Sequence, residues 1–164
     1  FAMAIIQPLN KLIDVFRGQK WPIVFSTDAF HEDDFIFKWR MKPHSLSGTE
    51  GAEVVDALDM QVDDLWQPKP RFSAFFNTGL ENWLRGRGVS LCAVGGLATN
   101  VCVLTTVLDA ICHDFKAVLL EDCSAASSKQ IHERTLDNYR RNALYPLLRV
   151  AKSTDLVSEL LGTS

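Results

Sequence analysis

Gly95-Gly96-Leu97-Ala98-Thr99-Asn100-Val101-Cys102-Val103 carries the strongest chemical signal in the chain. Its glycines follow an apolar run, Val89–Val94, that reads as a buried strand. They precede Val103, Leu104, Val107, Leu108 and Ile111, spaced as one apolar helix face. Cys102 therefore falls about one turn into a helix. A thiol there lies among backbone N–H groups without intrahelical partners, at the positive end of the dipole, which favours thiolate. The same N–H groups can stabilise an oxyanion. Cys102 is the candidate nucleophile, and the competing reading is an inert, buried, hydrophobe-like cysteine. Lys69, between Pro68 and Pro70, is excluded from regular helix and held extended or in a turn. Near a thiol, a lysine favours the thiolate and can orient a substrate carbonyl.

The elements that must position these groups alternate in type. Ile5, Ile6, Leu9, Leu12, Ile13 and Phe16 form a helical stripe that Gly18 can stop. Ile23–Thr27 reads as a short strand, and the stretch from Asp28 to Glu50 as a long polar and aromatic loop of the kind usually tied to function. A short helix is predicted over Gly51–Leu58 and a weak strand over Asp64–Gln67. Thr78 and Glu81 form a capping box for a helix to Arg87, which Gly88 ends. After the Cys102 helix come a strand at Phe115–Leu120 and a helix from Ser128 to about Arg141, with Ile131, Thr135, Leu136 and Tyr139 on one side. A strand at Leu148–Ala151 and a helix at Asp155–Leu161 complete the chain. Continuous apolar strands between amphipathic helices predict an α/β fold, a three-layer α/β/α sandwich with a mostly parallel, doubly wound sheet. Ligands of such sheets bind beyond the carboxyl ends of the strands, where Asp28, Lys69, the Cys102 turn and Asp122 converge.

Composition narrows the function. The 164 residues, 47% hydrophobic, suffice for one domain spanning 1–164 with a real core. A net charge of −3 and the lack of a basic cluster argue against nucleic acid as partner. No apolar run reaches the ~20 residues that span a bilayer, and no signal peptide is evident at the start. Cys92, Cys102, Cys112 and Cys123 show neither C-x-x-C pairing nor zinc spacing, which points to reduced thiols and a cytoplasmic protein.

Several ordered motifs make the chain resemble the isochorismatase-like cysteine hydrolases, among them nicotinamidases, N-carbamoylsarcosine amidases and ureidoacrylate amidohydrolases. The motifs are Lys69-Pro70-Arg71-Phe72-Ser73-Ala74-Phe75-Phe76-Asn77-Thr78, Gly95 through Val103, and Asp109-Ala110. Also matching are His44 with Gly48-Thr49-Glu50-Gly51-Ala52-Glu53-Val54, and Glu121-Asp122-Cys123-Ser124-Ala125. The resemblance implies an Asp, Lys and Cys triad with Lys69 and Cys102 as catalytic residues. It also implies a cis peptide between Leu97 and Ala98, and an oxyanion hole from the Ala98 and Cys102 amides. Asp28, Phe30, Trp39, His44 and Thr99 are the candidate pocket residues. The activity implied is hydrolysis of a C–N bond in a small-molecule amide or carbamoyl compound, through a thioester, by a cytoplasmic homodimer or homotetramer.

Two departures from the family pattern matter. The triad aspartate of the family ends a strand ahead of the first helix, and the chain opens instead on Phe1-Ala2-Met3. The expectation is an omitted N-terminal strand that carries the base. The resemblance places Asp28 at a polar or metal-site position and Asp122 at a structural one, rather than either as base. Nicotinamidases of the family hold a divalent ion through an Asp-x-His pair and a later His. Here Phe30 replaces the first His and His31 falls one residue late, so a divalent metal such as zinc is not favoured, and no other cofactor is expected. His44 is then a locally hydrogen-bonded loop residue, and the balance moves from nicotinamide toward a carbamoylsarcosine-amidase-like activity. The rivals are a non-catalytic binding or assembly protein that lost its base, a nicotinamidase, and an isochorismatase-type vinyl-ether hydrolase, against which the intact Cys102 turn argues.

Overall fold

The computed structural model describes residues 2–163. A 3-10 turn, Ala2–Ile5, leads into α1 (Ile6–Gly18), after which come β1 (Val24–Asp28) and β2 (Leu65–Lys69). Then follow α2 (Leu80–Arg85), β3 (Leu91–Leu97), a π-helical turn at Thr99–Val103 and α3 (Leu104–Cys112). Last are β4 (Lys116–Ala125), α4 (Lys129–Arg140), β5 (Leu148–Ala151) and α5 (Ser153–Leu161). All strand pairs are parallel, as near-continuous apolar strands between helices require.

Successive residues of β4 point to opposite faces, and this organises the core. Ala117 and Leu119 pack with Val103, Val107, Ala110, Leu84, Leu136 and Leu148 on one side. Val118, Leu120 and Cys123 pack with Leu156, Leu9 and Leu12 on the other. The sheet therefore lies between α2, α3 and α4 on one face and α1 and α5 on the other, the three-layer arrangement expected from the sequence.

The sheet is not continuous. β1 pairs with β2, and β3–β4–β5 form a second unit, with no ladder joining them among the described residues. Register between β3 and β4 slips between Val94 and Gly96. There the chains approach so closely that a Cβ on Gly95 would lie 2.8 Å from the Cys123 carbonyl oxygen.

Local differences from the sequence reading have tertiary causes. Instead of a helix at 51–58 there is a 3-10 turn, Glu50–Ala52. Asn10 of α1 holds the segment beyond it by donating to the Ala57 carbonyl (2.9 Å) and accepting from the Asp59 amide (3.0 Å). The reciprocal capping box is not made: the Thr78 oxygen accepts from the Leu80 amide (3.4 Å), but the Thr78 amide donates to the Phe75 carbonyl (3.4 Å) rather than to Glu81. Glu81 pairs with Arg85 (2.9 Å) and His113 (2.8 Å), and α2 starts at Leu80. On α4 the inward stripe is His132, Thr135 and Leu136, while Ile131 is exposed.

Candidate active site

Three side chains from separate elements meet at the carboxyl ends of β1, β2 and β3. Register pairs Asp28 with Lys69 at the last position of the β1–β2 ladder. Their side chains form an ion pair, with Lys69 only 4% exposed and Asp28 23%. The Lys69 ammonium also donates to the Arg71 carbonyl at 3.1 Å. A buried ammonium requires such partners, since desolvating an unpaired charge costs several kcal/mol. From the other side, Cys102 brings its Sγ to 3.7 and 3.9 Å from the two Asp28 carboxylate oxygens. The sequence reading placed the base on a strand ahead of the first helix and Asp28 in the pocket. The structure sets Asp28 against both lysine and thiol.

Cys102 lies on a π-helical turn rather than in regular helix. The Ala98 carbonyl accepts from the Val101 (3.0 Å) and Val103 (3.2 Å) amides. The Leu104 amide reaches back five residues to Thr99. Single π turns inside helices are uncommon and cluster at functional sites. The Leu97–Ala98 peptide just before the turn is cis.

Electrostatics correct one expectation. Burial pushes the Cys102 thiol above its ordinary value, and Asp28 beside it pushes the same way. The Lys69 ammonium and a hydrogen bond from the Ala98 amide pull it down without winning. The resting sulfur is therefore a thiol. The helix-end effect favoured thiolate, but desolvation and an adjacent carboxylate outweigh it. Such a cysteine needs a proton acceptor at the moment of reaction, and Asp28 is the carboxylate in contact with it.

Of the other candidate pocket residues, none joins this cluster. Phe30 is 1% exposed, at the centre of an edge-on aromatic group with Phe37, His44 and Phe72. Trp39 is 82% exposed. The His44 Nδ1 is 2.9 Å from the Lys42 carbonyl. Thr99 is fully buried, its hydroxyl 2.8 Å from Nδ1 of His132. A long loop can place aromatics inward or outward with the same composition, so their roles were not readable from sequence. At the positions where the family's nicotinamidases hold an ion, Asp28 is engaged by Lys69, the His44 Nδ1 lies by the Lys42 carbonyl, and Phe30 offers no ligand. Among the described residues no group of three His, Cys, Asp or Glu side chains is placed to hold one.

Several residues that steady the site lie in the quoted motifs, but their partners could not be read from sequence. Arg71 donates to Asp34 at 2.8 Å, tying the loop after β1 to the lysine segment. This ion pair and the Ile36 amide draw the Asp34 carboxyl below its ordinary value despite its desolvation. Ser73 donates to Asp109 of α3 (2.5 Å), and the Ala74 amide to Thr106 (3.0 Å), fixing the segment after Lys69 against the helix after Cys102. Asp122 accepts from the Ser153 amide (2.8 Å) and hydroxyl (2.6 Å), a structural cap for α5.

The model of the isochorismatase domain matches residues 2–151. Among solved structures, an isochorismatase-like hydrolase from Alkaliphilus metalliredigens superposes with a TM-score of 0.86 at 27% identity, covering 97% of this chain and 86% of that one. An N-carbamoylsarcosine amidase from Thermoplasma acidophilum gives 0.80 at 28% identity, covering 93% and 84%. A nicotinamidase from Bacillus subtilis gives 0.76 at 28% identity, covering 92% and 85%.

Proposed function

The chain belongs to the isochorismatase family, and on that premise we propose that it is a cysteine-dependent amidohydrolase acting on a small amide or carbamoyl compound. The observation that carries the reading is the contact of the Cys102 sulfur with Asp28, itself ion-paired to the buried Lys69. Asp28 takes the thiol proton, and the Cys102 sulfur attacks the substrate carbonyl carbon. The resulting oxyanion is met by the Ala98 and Cys102 amides and by the nearby Lys69 charge. Collapse breaks the C–N bond, and the nitrogen leaves with the proton that Asp28 held. Water then attacks the thioester, Asp28 again accepting a proton, and the acid departs as the thiol re-forms. Lys69 keeps Asp28 oriented through the cycle.

The broken Asp-x-His spacing supports a carbamoylsarcosine-amidase-like substrate over nicotinamide. We place the activity in a homodimer or homotetramer. The test is ammonia release from N-carbamoylsarcosine, ureido acids and nicotinamide, with Cys102→Ala as control. Turnover that Cys102→Ala abolishes without loss of fold supports the reading, and undiminished turnover by that variant overturns it.

A second reading keeps the nucleophile and moves the base. The break between the β1–β2 and β3–β4–β5 units favours it, since a further strand seated there would bring its own carboxylate to the same strand ends. Asp28→Asn separates the two readings.

A further inference from the structure

Thr99 and His132 are polar, buried and unused by the chemistry above. Thr99 opens the π turn, directly after Ala98, whose backbone draws the Cys102 thiol down. It is wholly inaccessible, and its hydroxyl lies 2.8 Å from the His132 ring on α4, itself 7% exposed. Buried polar groups of this kind are retained where they are paired, and a hydrogen bond between elements fixes their relative position. Within the π turn the carbonyls of Ala98 and Thr99 accept its N–H bonds, and no side chain caps its start.

We infer that His132 is a positioning residue for Cys102, acting from α4 through Thr99 to hold the π turn that aims the Ala98 amide and the thiol. The inference rests on Cys102 as nucleophile. Among the described residues His132 makes its side-chain hydrogen bond to Thr99, not to the sulfur or Asp28, so its effect passes through the backbone of residues 98–102. Loosening that anchor moves the Ala98 amide off the sulfur and off the place where the oxyanion forms, while leaving more remote binding contacts alone.

The test uses the full chain carrying Cys112→Ser, which removes an exposed thiol. His132→Leu keeps the site filled and deletes the hydrogen bond. Its kcat should fall at least ~10-fold with KM little changed, since misplacement of about 1 Å costs up to ~10²-fold. Iodoacetamide labelling of Cys102 at neutral pH, read by peptide mass, should slow as the Ala98 hydrogen bond is lost. His132→Asn, whose amide falls where Nδ1 lies, should restore both. Thr99→Val should reproduce His132→Leu, and the double variant should be no worse than either alone. Unchanged kcat and labelling in a folded His132→Leu variant overturn the inference, as do additive losses in the double variant or failure of Asn to rescue. Labelling needs no substrate. A chain that hydrolyses nothing yet shows the labelling pattern defeats the hydrolase reading alone, whereas an active chain without the pattern defeats the positioning role alone.

Discussion

Asp28→Asn should move two properties of Cys102 in opposite directions. The substitution keeps the shape of the side chain and a hydrogen-bond acceptor for Lys69, and removes the charge. In the wild type that charge holds the thiol up from 3.7 Å away. Two unit charges at ~4 Å interact by about 4 kcal/mol at an effective dielectric of about 20. Asp28 is 23% exposed, so solvent screens the pair and about a quarter of that value is a working figure. One kcal/mol corresponds to ~5-fold more thiolate at a given pH, and the Lys69 charge, no longer neutralised, acts in the same sense. Alkylation of Cys102 at neutral pH should therefore be several-fold faster. Hydrolysis should be slower by ~10² to 10⁴-fold, the range for loss of a general base. The assay pairs steady-state ammonia release with mass-resolved iodoacetamide labelling of one preparation. Faster labelling with lost turnover confirms Asp28 as base. Turnover near wild type would refute that role and place the base on another strand, and slower labelling would refute the electrostatic account of the thiol.

Lys69→Met should lower kcat by at least ~10²-fold, because it removes the charge that orients Asp28; kcat within a few-fold of wild type would count against its role. Gly95→Ala should destabilise the fold by about 1–3 kcal/mol in urea unfolding, since its Cβ would meet the Cys123 carbonyl oxygen at 2.8 Å. Burial pushes the Cys92 thiol up to about 11 and the Cys123 thiol to about 12, from an ordinary 9.0. The folded state thus prefers both protonated, a contribution fully present below the unfolded value and lost as pH rises through the folded ones. Thermal stability should fall progressively from about pH 9 to 12, and Cys92→Ala should flatten the early part of that decline.

How much was legible follows from where each signal resides. The Cys102 turn was readable because an apolar run, two glycines and a helical stripe occupy one stretch. The turn's π geometry was not, since it depends on the distant His132. The roles of Asp28 and Asp122 illustrate the same divide. The resemblance marked Asp122 as structural, and it caps α5, but only the β1–β2 register shows that Asp28 meets a lysine 41 residues away. The capping box failed for a related reason: its glutamate is drawn off by Arg85 and by His113, 32 residues on.

By itself, then, the sequence determined the alternation of strands and helices, the two-faced burial of the sheet and which thiol to propose as the nucleophile. Those properties arise from local periodicity and residue chemistry. Tertiary structure alone decided that this thiol rests protonated, which carboxylate touches it and what steadies its turn. Each of these is a balance of desolvation, charge and hydrogen bonding among residues that only folding brings within a few ångströms.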